Sequence, residues 1–129
     1  MRKSGCYRMT KEQAYRAFWV SCGWKAYDEN TVPDDAPLPR LTYNVAVAEF
    51  GEPVALSVSV WDRSTSWSSV TQKASEIYSR IGLGGRIIPY DGGYIWIKRG
   101  QPFFQRMADE NDSIRRIYIN LEVEYLTHL

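Results

Sequence analysis

The sequence predicts an α+β fold: antiparallel β hairpins and a long C-terminal strand packed against two main helices. Three observations carry this. Two segments space their apolar residues for one face of a helix, four alternating runs fall into two pairs joined by turn residues, and a further alternating run closes the chain. The order helix, hairpin, helix, hairpin, strand makes helices layered on one or two antiparallel sheets the economical architecture.

At 129 residues the chain has room for one domain burying roughly two thirds of its unfolded surface. Residues 1–40 supply an N-terminal helix and a Pro/Asp-rich loop, and residues 41–129 the α+β core. Sixteen Lys+Arg against fifteen Asp+Glu leave a formal charge of +1, too little cationic excess for a dedicated nucleic-acid grip. Five Trp, nine Tyr and four Phe are many for this length, so some rings are expected to face a partner. No apolar stretch reaches the ~18 residues of a membrane span, and residues 1–23 lack a signal-peptide centre, so a soluble, unsecreted protein is expected. Cys6 and Cys22 have no CxxC spacing and the single histidine is His128. Neither a metal site nor a disulfide framework follows from that set; reduced thiols and no cofactor are expected.

Thr10 to Gln13 spells a capping box, in which each side chain satisfies the other's orphan amide. A helix follows, with Ala14, Phe18 and Cys22 as its apolar stripe, Tyr15 and Trp19 beside them, and Gly23 to end it. Residues 27–39 turn to Asp, Glu, Asn and proline and predict a connecting loop. Residues 42–50 and 53–62 predict two strands joined by a II′ turn at Gly51-Glu52. Pairing Phe50 with Pro53 sets Tyr43 opposite Val60, Val45 opposite Val58 and Val47 opposite Leu56, all on one face. The reverse face carries the small residues Asn44, Ala46, Ala48, Ala55, Ser57 and Ser59.

Ser64 to Ser66 offer a cap for a second helix, whose buried side is Val70, Ala74, Ile77 and Ile81 before Gly82. Residues 86–90 and 94–98 flank Asp91-Gly92-Gly93, a hairpin signal. Ile88, Ile95 and Ile97 share one face of it; Ile87, Tyr94, Trp96 and Lys98 share the other; Pro89 marks an edge or bulge. Residues 102–107 predict a short helical turn with Pro102 at its first position, followed by an acidic turn at residues 109–112. In the last strand Ile117, Ile119, Leu121, Val123 and Tyr125 alternate with Tyr118, Asn120, Glu122 and Glu124, the half-buried pattern of an antiparallel sheet.

Catalytic signals are missing from this pattern. The only histidine lies one residue from the end of the sequence, so no nucleophile has a base in reach, and the carboxylate clusters fall in turns where such groups are solvated. The glycines at 82, 84 and 85 follow a helix and precede a strand, the wrong order for a phosphate cradle. Two features point to contacts instead. Trp61 and Trp67 flank Asp62-Arg63-Ser64, with Trp67 expected as a wall under the helix. Tyr94 and Trp96, with Lys98 and Arg99 at the hairpin's end, have the composition of an interface core.

Residues 93–107, GYIWIKRGQPFFQRM, and residues 114–126, IRRIYINLEVEYL, resemble the C-terminal half of small tail terminator or minor capsid proteins of long-tailed, siphovirus-type phages and prophages. The strand from Pro53 to Trp61 and the following helix fit the same layout, so the resemblance covers about residues 42–126; the lead with Trp19 and Trp24 matches nothing in it. The resemblance implies a non-enzymatic virion protein. Copies would close into a ring, commonly a hexamer, on the end of the tail tube, meeting the tail tube protein and the head connector or stopper after assembly in the host cytoplasm. Packaged DNA would pass through unbound, and no membrane is involved. A ring contact repeated around an axis needs two complementary patches. The small-residue face of the first hairpin, with Ala46, Ala48, Ser57 and Ser59, and the aromatic face of the second, with Tyr94, Trp96, Lys98 and Arg99, are the candidates; Trp61 and Arg63 are further interface residues, and Glu122 and Glu124 are expected to face the channel. The alternatives are a head-side connector or stopper component, and an aromatic-rich ligand-binding module built on Trp61, Trp67 and Trp96.

Overall fold

The computed structural model describes residues 9–46 and 52–127. Helix α1 (Lys11–Val20) starts at the capping box read from the sequence: Thr10 Oγ1 accepts from the Gln13 amide at 3.2 Å, and Gln13 Oε1 accepts from the Thr10 amide at 3.0 Å. Ala14, Tyr15, Phe18 and Trp19 are buried, and Cys22 continues the stripe just past the helix end. Helix α2 (Ser68–Ile81) buries Val70, Ala74, Ile77 and Ile81 completely, as their spacing predicts. Its N-terminus differs from expectation. Trp67 occupies the cap position without a side-chain cap bond, and Ser66 Oγ instead accepts from the Ser68 amide at 3.1 Å, so the serines order the approach to the helix.

Six strands form one sheet in the order β1-β2-β3-β6-β5-β4. Their spans are β1 (Lys25–Asp28), β2 (Arg40–Tyr43), β3 (Val54–Arg63), β4 (Arg86–Tyr90), β5 (Gly93–Met107) and β6 (Ile114–Thr127). β1 and β2 run parallel and every other pair antiparallel, so the sheet is mixed where purely antiparallel sheets were expected. Both helices pack on one face, against Leu41, Tyr43, Leu56, Val58, Val60, Ile95, Ile97, Ile117, Ile119, Leu121 and Val123, all nearly or fully buried. α1 touches both edge strands, β1 and β4, and the Asp91 amide donates to Met9 O at 2.7 Å, so the sheet curls around that helix.

Three local expectations are corrected. Residues 27–39 were expected as loop throughout, but Tyr27 and Asp28 belong to β1, whose parallel ladder on β2 leaves no alternation to read over so few residues. The first hairpin is shifted by two: Tyr43 faces Val58 and Leu41 faces Val60, where Tyr43 was expected opposite Val60 and Val45 opposite Val58. β2 peels away at Asn44, whose Oδ1 takes the Ser57 amide at 2.8 Å in place of a main-chain carbonyl. An even shift keeps every side chain on its face, which is why the facing was right and the register wrong. The expected turn at Gly51-Glu52, with Val47 and Ala48 before it, lies outside the described residues apart from Glu52, as do Cys6 and His128.

Residues 102–107 are not a helical turn but the second half of β5. Arg99 faces Leu121 and Phe104 faces Ile119, so four residues of β5, Gly100 to Phe103, stand opposite Asn120 alone. Pro102, with no amide to give a ladder, sits in this bulge, and Asn120 Nδ2 donates to its carbonyl at 2.8 Å. Asn120 crowds the site: a Cβ on Gly100 would lie 2.7 Å from its backbone. The second hairpin closes with Tyr90 opposite Gly93 around Asp91-Gly92, and Gly92 takes φ +105°, a value glycine adopts freely. Pro89 lies on edge strand β4.

Candidate functional site

The face of the sheet turned away from the helices collects alternate residues of the central strands. β6 contributes Arg116, Tyr118, Asn120, Glu122 and Glu124; β3 contributes Ser57, Ser59 and Trp61; β5 contributes Tyr94, Trp96 and Lys98. Because β6 lies between β3 and β5, the small-residue patch and the aromatic patch expected as separate surfaces share one face.

At one end of that face Trp61 lies between two guanidiniums, Arg40 at 5.4 Å and Arg116 at 4.5 Å from the ring centroid. The indole N–H donates to Thr42 Oγ1 at 2.9 Å, and Arg116 Nε donates to Ser59 Oγ at 3.1 Å. That bond uses Nε and leaves the terminal nitrogens of Arg116 without a hydrogen-bond partner among the described residues. Ser57 and Ser59 are buried, shielded by these larger cross-strand neighbours. Arg63 lies at the strand end, donating to Ser113 Oγ at 3.3 Å.

At the other end Lys98 Nζ meets Glu124 at 2.6 Å and Glu122 at 3.0 Å. The bond from Glu124 pushes the Lys98 pKa up from its usual value. The same ammonium lies 4.2 Å from the Trp96 ring centroid, and Trp96 Nε1 donates to Gly84 O at 2.9 Å. That indole closes over the chain so tightly that a Cβ on Gly85 would lie 2.6 Å from Nε1. Tyr94 is 40% exposed, beside Leu126 of β6.

The remaining candidates scatter. Arg99 turns to the helix side, its guanidinium 3.4 Å from the Tyr78 ring centroid and its Nη2 donating to Tyr78 O at 2.9 Å. Ala46 lies where β2 has left the sheet and accepts the Tyr125 hydroxyl at 3.2 Å through its carbonyl; Ala48 is outside the described residues. Trp67 is half-buried against the core between Arg106 at 4.8 Å and Arg115 at 5.3 Å. Sequence reasoning missed Arg40 and Arg116 as neighbours of Trp61. The pairing of β3 with β2 brings Arg40 to Trp61 and its pairing with β6 brings Arg116, and no local pattern announces either.

No group of three or more His, Cys, Asp or Glu able to hold a metal occurs among the described residues. Burial pushes up the Tyr15, Tyr43 and Tyr125 phenols and the Cys22 thiol, the pattern of packed groups rather than of an activated nucleophile. No helix among the described residues is long and apolar enough to cross a membrane.

No protein-family model and no curated protein matches the sequence. Among solved structures, the chain is similar to one from the "Virion of native gene transfer agent (GTA) particle". The TM-score is 0.54 at 19% sequence identity, over 87% of this chain and 84% of that one. At that identity the likeness is one of fold.

Proposed function

We propose that this chain is a structural protein of a phage-type particle: a tail terminator that closes into a ring on the end of the tail tube and joins it to the head. The observation that carries the reading is the fold itself, two helices on a curled six-stranded sheet, shared over most of its length with a chain from a virion particle. In this reading the open face is the assembly surface. Trp61, flanked by Arg40 and Arg116 and hydrogen-bonded to Thr42, has the Arg-flanked aromatic composition of an interface anchor. The acidic end, where two carboxylates meet one ammonium, is assigned to the channel side.

The aromatic ligand-binding alternative has less support. Trp61 faces Arg116 and Trp96 faces Glu124, eight positions apart on β6 or roughly 26 Å, while Trp67 lies on the other face, so the three rings form no common platform. A head-side connector or stopper component would use the same open face and differ in which tube or portal it caps.

Sedimentation of the purified protein, alone and with tail tubes, tests the proposal. A ring-sized species and capped tubes are expected, with Trp61→Ala folded but at least tenfold weaker in capping. A protein that stays monomeric at high concentration and ignores tubes would overturn it.

A further inference from the structure

A ring contact is heterologous: each copy offers a donor patch and a different acceptor patch. In the proposed ring the open face is assigned to the tube and the channel, so the lateral contacts are sought elsewhere. The two flanks of α1 differ in the way such a contact requires. From the end of β1 onward, Asp28, Glu29, Asp34 and Asp35 stand in a stretch with no lysine or arginine until Arg40. Asp34 and Asp35 are the central residues of a turn closed by the Ala36 amide donating to Pro33 O at 3.0 Å, and Arg40 Nη1 tethers that turn through Ala36 O at 3.0 Å. Both aspartates are exposed and have no ion pair among the described residues.

On the opposite flank, a groove of about 340 Å³ runs between α1 and edge strand β4. Its floor is apolar, from Ala17, Phe18 and Ile88, and no carboxylate among the described residues lines it. Two cations stand on its rim. Arg80 stacks 5.6 Å from the Phe18 centroid and donates to Ser21 Oγ at 2.6 Å, while Arg86 makes one long bond, 3.4 Å, to Arg80 O. Ile87, 56% exposed, extends the apolar surface along β4, where Pro89 removes an amide from the sheet edge.

We infer that the Asp34-Asp35 turn of one copy docks on the Arg80–Arg86 rim of the next, with its flanking prolines against the groove floor. The inference rests on the ring reading. Opposite charge fixes the direction of the contact, a turn already ordered loses little freedom on docking, and donor and acceptor on opposite flanks of α1 let the contact repeat from copy to copy.

The test is sedimentation velocity across protein and NaCl concentrations on wild type, D34K/D35K, R86E and the three changes combined, with thermal melts to establish folding. Wild-type rings should loosen with salt, D34K/D35K and R86E should each assemble at least tenfold more weakly, and the combined chain should recover most of that loss. If wild type forms rings and folded D34K/D35K does so equally well, or if the combination is no better than its parts, this contact is wrong and the ring reading stands. A wild type that never assembles, alone or with tail tubes, overturns both. The aspartates lie in an exposed turn, so D34K/D35K alone decides the matter should R86E not fold.

Discussion

Lys73 is the charged side chain whose removal should matter most to folding. It projects from α2 with its side chain 10% exposed, donates to the buried Cys22 carbonyl at 2.9 Å, meets Glu76 at 2.8 Å and lies 5.1 Å from the Trp24 ring centroid. It therefore ties α2 to the segment that leads from α1 into β1. Lys73→Met keeps the apolar stem and removes the ammonium. The stranded carbonyl costs about 1–3 kcal/mol, the half-exposed Glu76 pair about 0.2–1 and the indole contact about 0.5–1. Part of this is offset by no longer dehydrating a cation, which leaves a net loss of about 2 kcal/mol. At about 4 °C per kcal/mol for a chain of this size, the melting temperature should fall by about 8 °C. Glu76→Ala removes only the exposed pair and should cost less than about 1 kcal/mol. Calorimetric or circular-dichroism melts of both variants decide it: a Lys73→Met protein melting within about 2 °C of wild type, or a Glu76→Ala loss as large, would refute the reasoning that the Cys22 carbonyl is the important partner.

Glycine replacements should separate by backbone proximity. A Cβ on Gly93 would collide with the Leu126 carbonyl oxygen, whereas one on Gly84 would meet nothing within 4 Å, so Gly93→Ala should lower stability by more than about 2 kcal/mol and Gly84→Ala by almost nothing in denaturant titration. Ile77→Asp and Leu121→Asp should each yield insoluble or unfolded protein, because both side chains are buried where a charge finds no partner; a soluble, cooperatively melting variant would contradict the assigned faces. In a Cys6→Ser background the thiol of Cys22 should react with a disulfide reagent at pH 8 only as fast as the protein opens. Burial both covers it and raises its pKa, so the reactive thiolate is scarce below that raised value and grows as pH climbs through it; prompt labelling of folded protein would argue against the packing.

What the sequence discloses depends on whether the determining contacts are local. The capping box at Thr10 and Gln13, the stripe from Val70 to Ile81 and the turn at Asp91-Gly92 each close within one or a few turns of chain, and each is found in place. β1 pairs across the chain in parallel, with a mixed burial pattern that resembles loop as much as strand. The β2 register escaped because any even offset preserves the alternation that sequence analysis reads, and the Gly100 to Phe103 bulge escaped because Pro102 suits a helix start as well as a strand irregularity.

The candidate site fails to be legible for the same reason, with a larger consequence. Alternation assigns Ser57 and Ser59 to one side of β3, and Trp96 and Lys98 to one side of β5, but says nothing about whether those sides coincide. That is decided by β6, which faces Ser57 with Asn120 and Lys98 with Glu122 and so fuses the two patches into one surface. A contact repeated around an axis needs a donor patch and a different acceptor patch on each copy. Under the proposed ring reading, the flanks of α1, acidic from the end of β1 onward and basic beside β4, are the surfaces proposed to pass the contact from copy to copy.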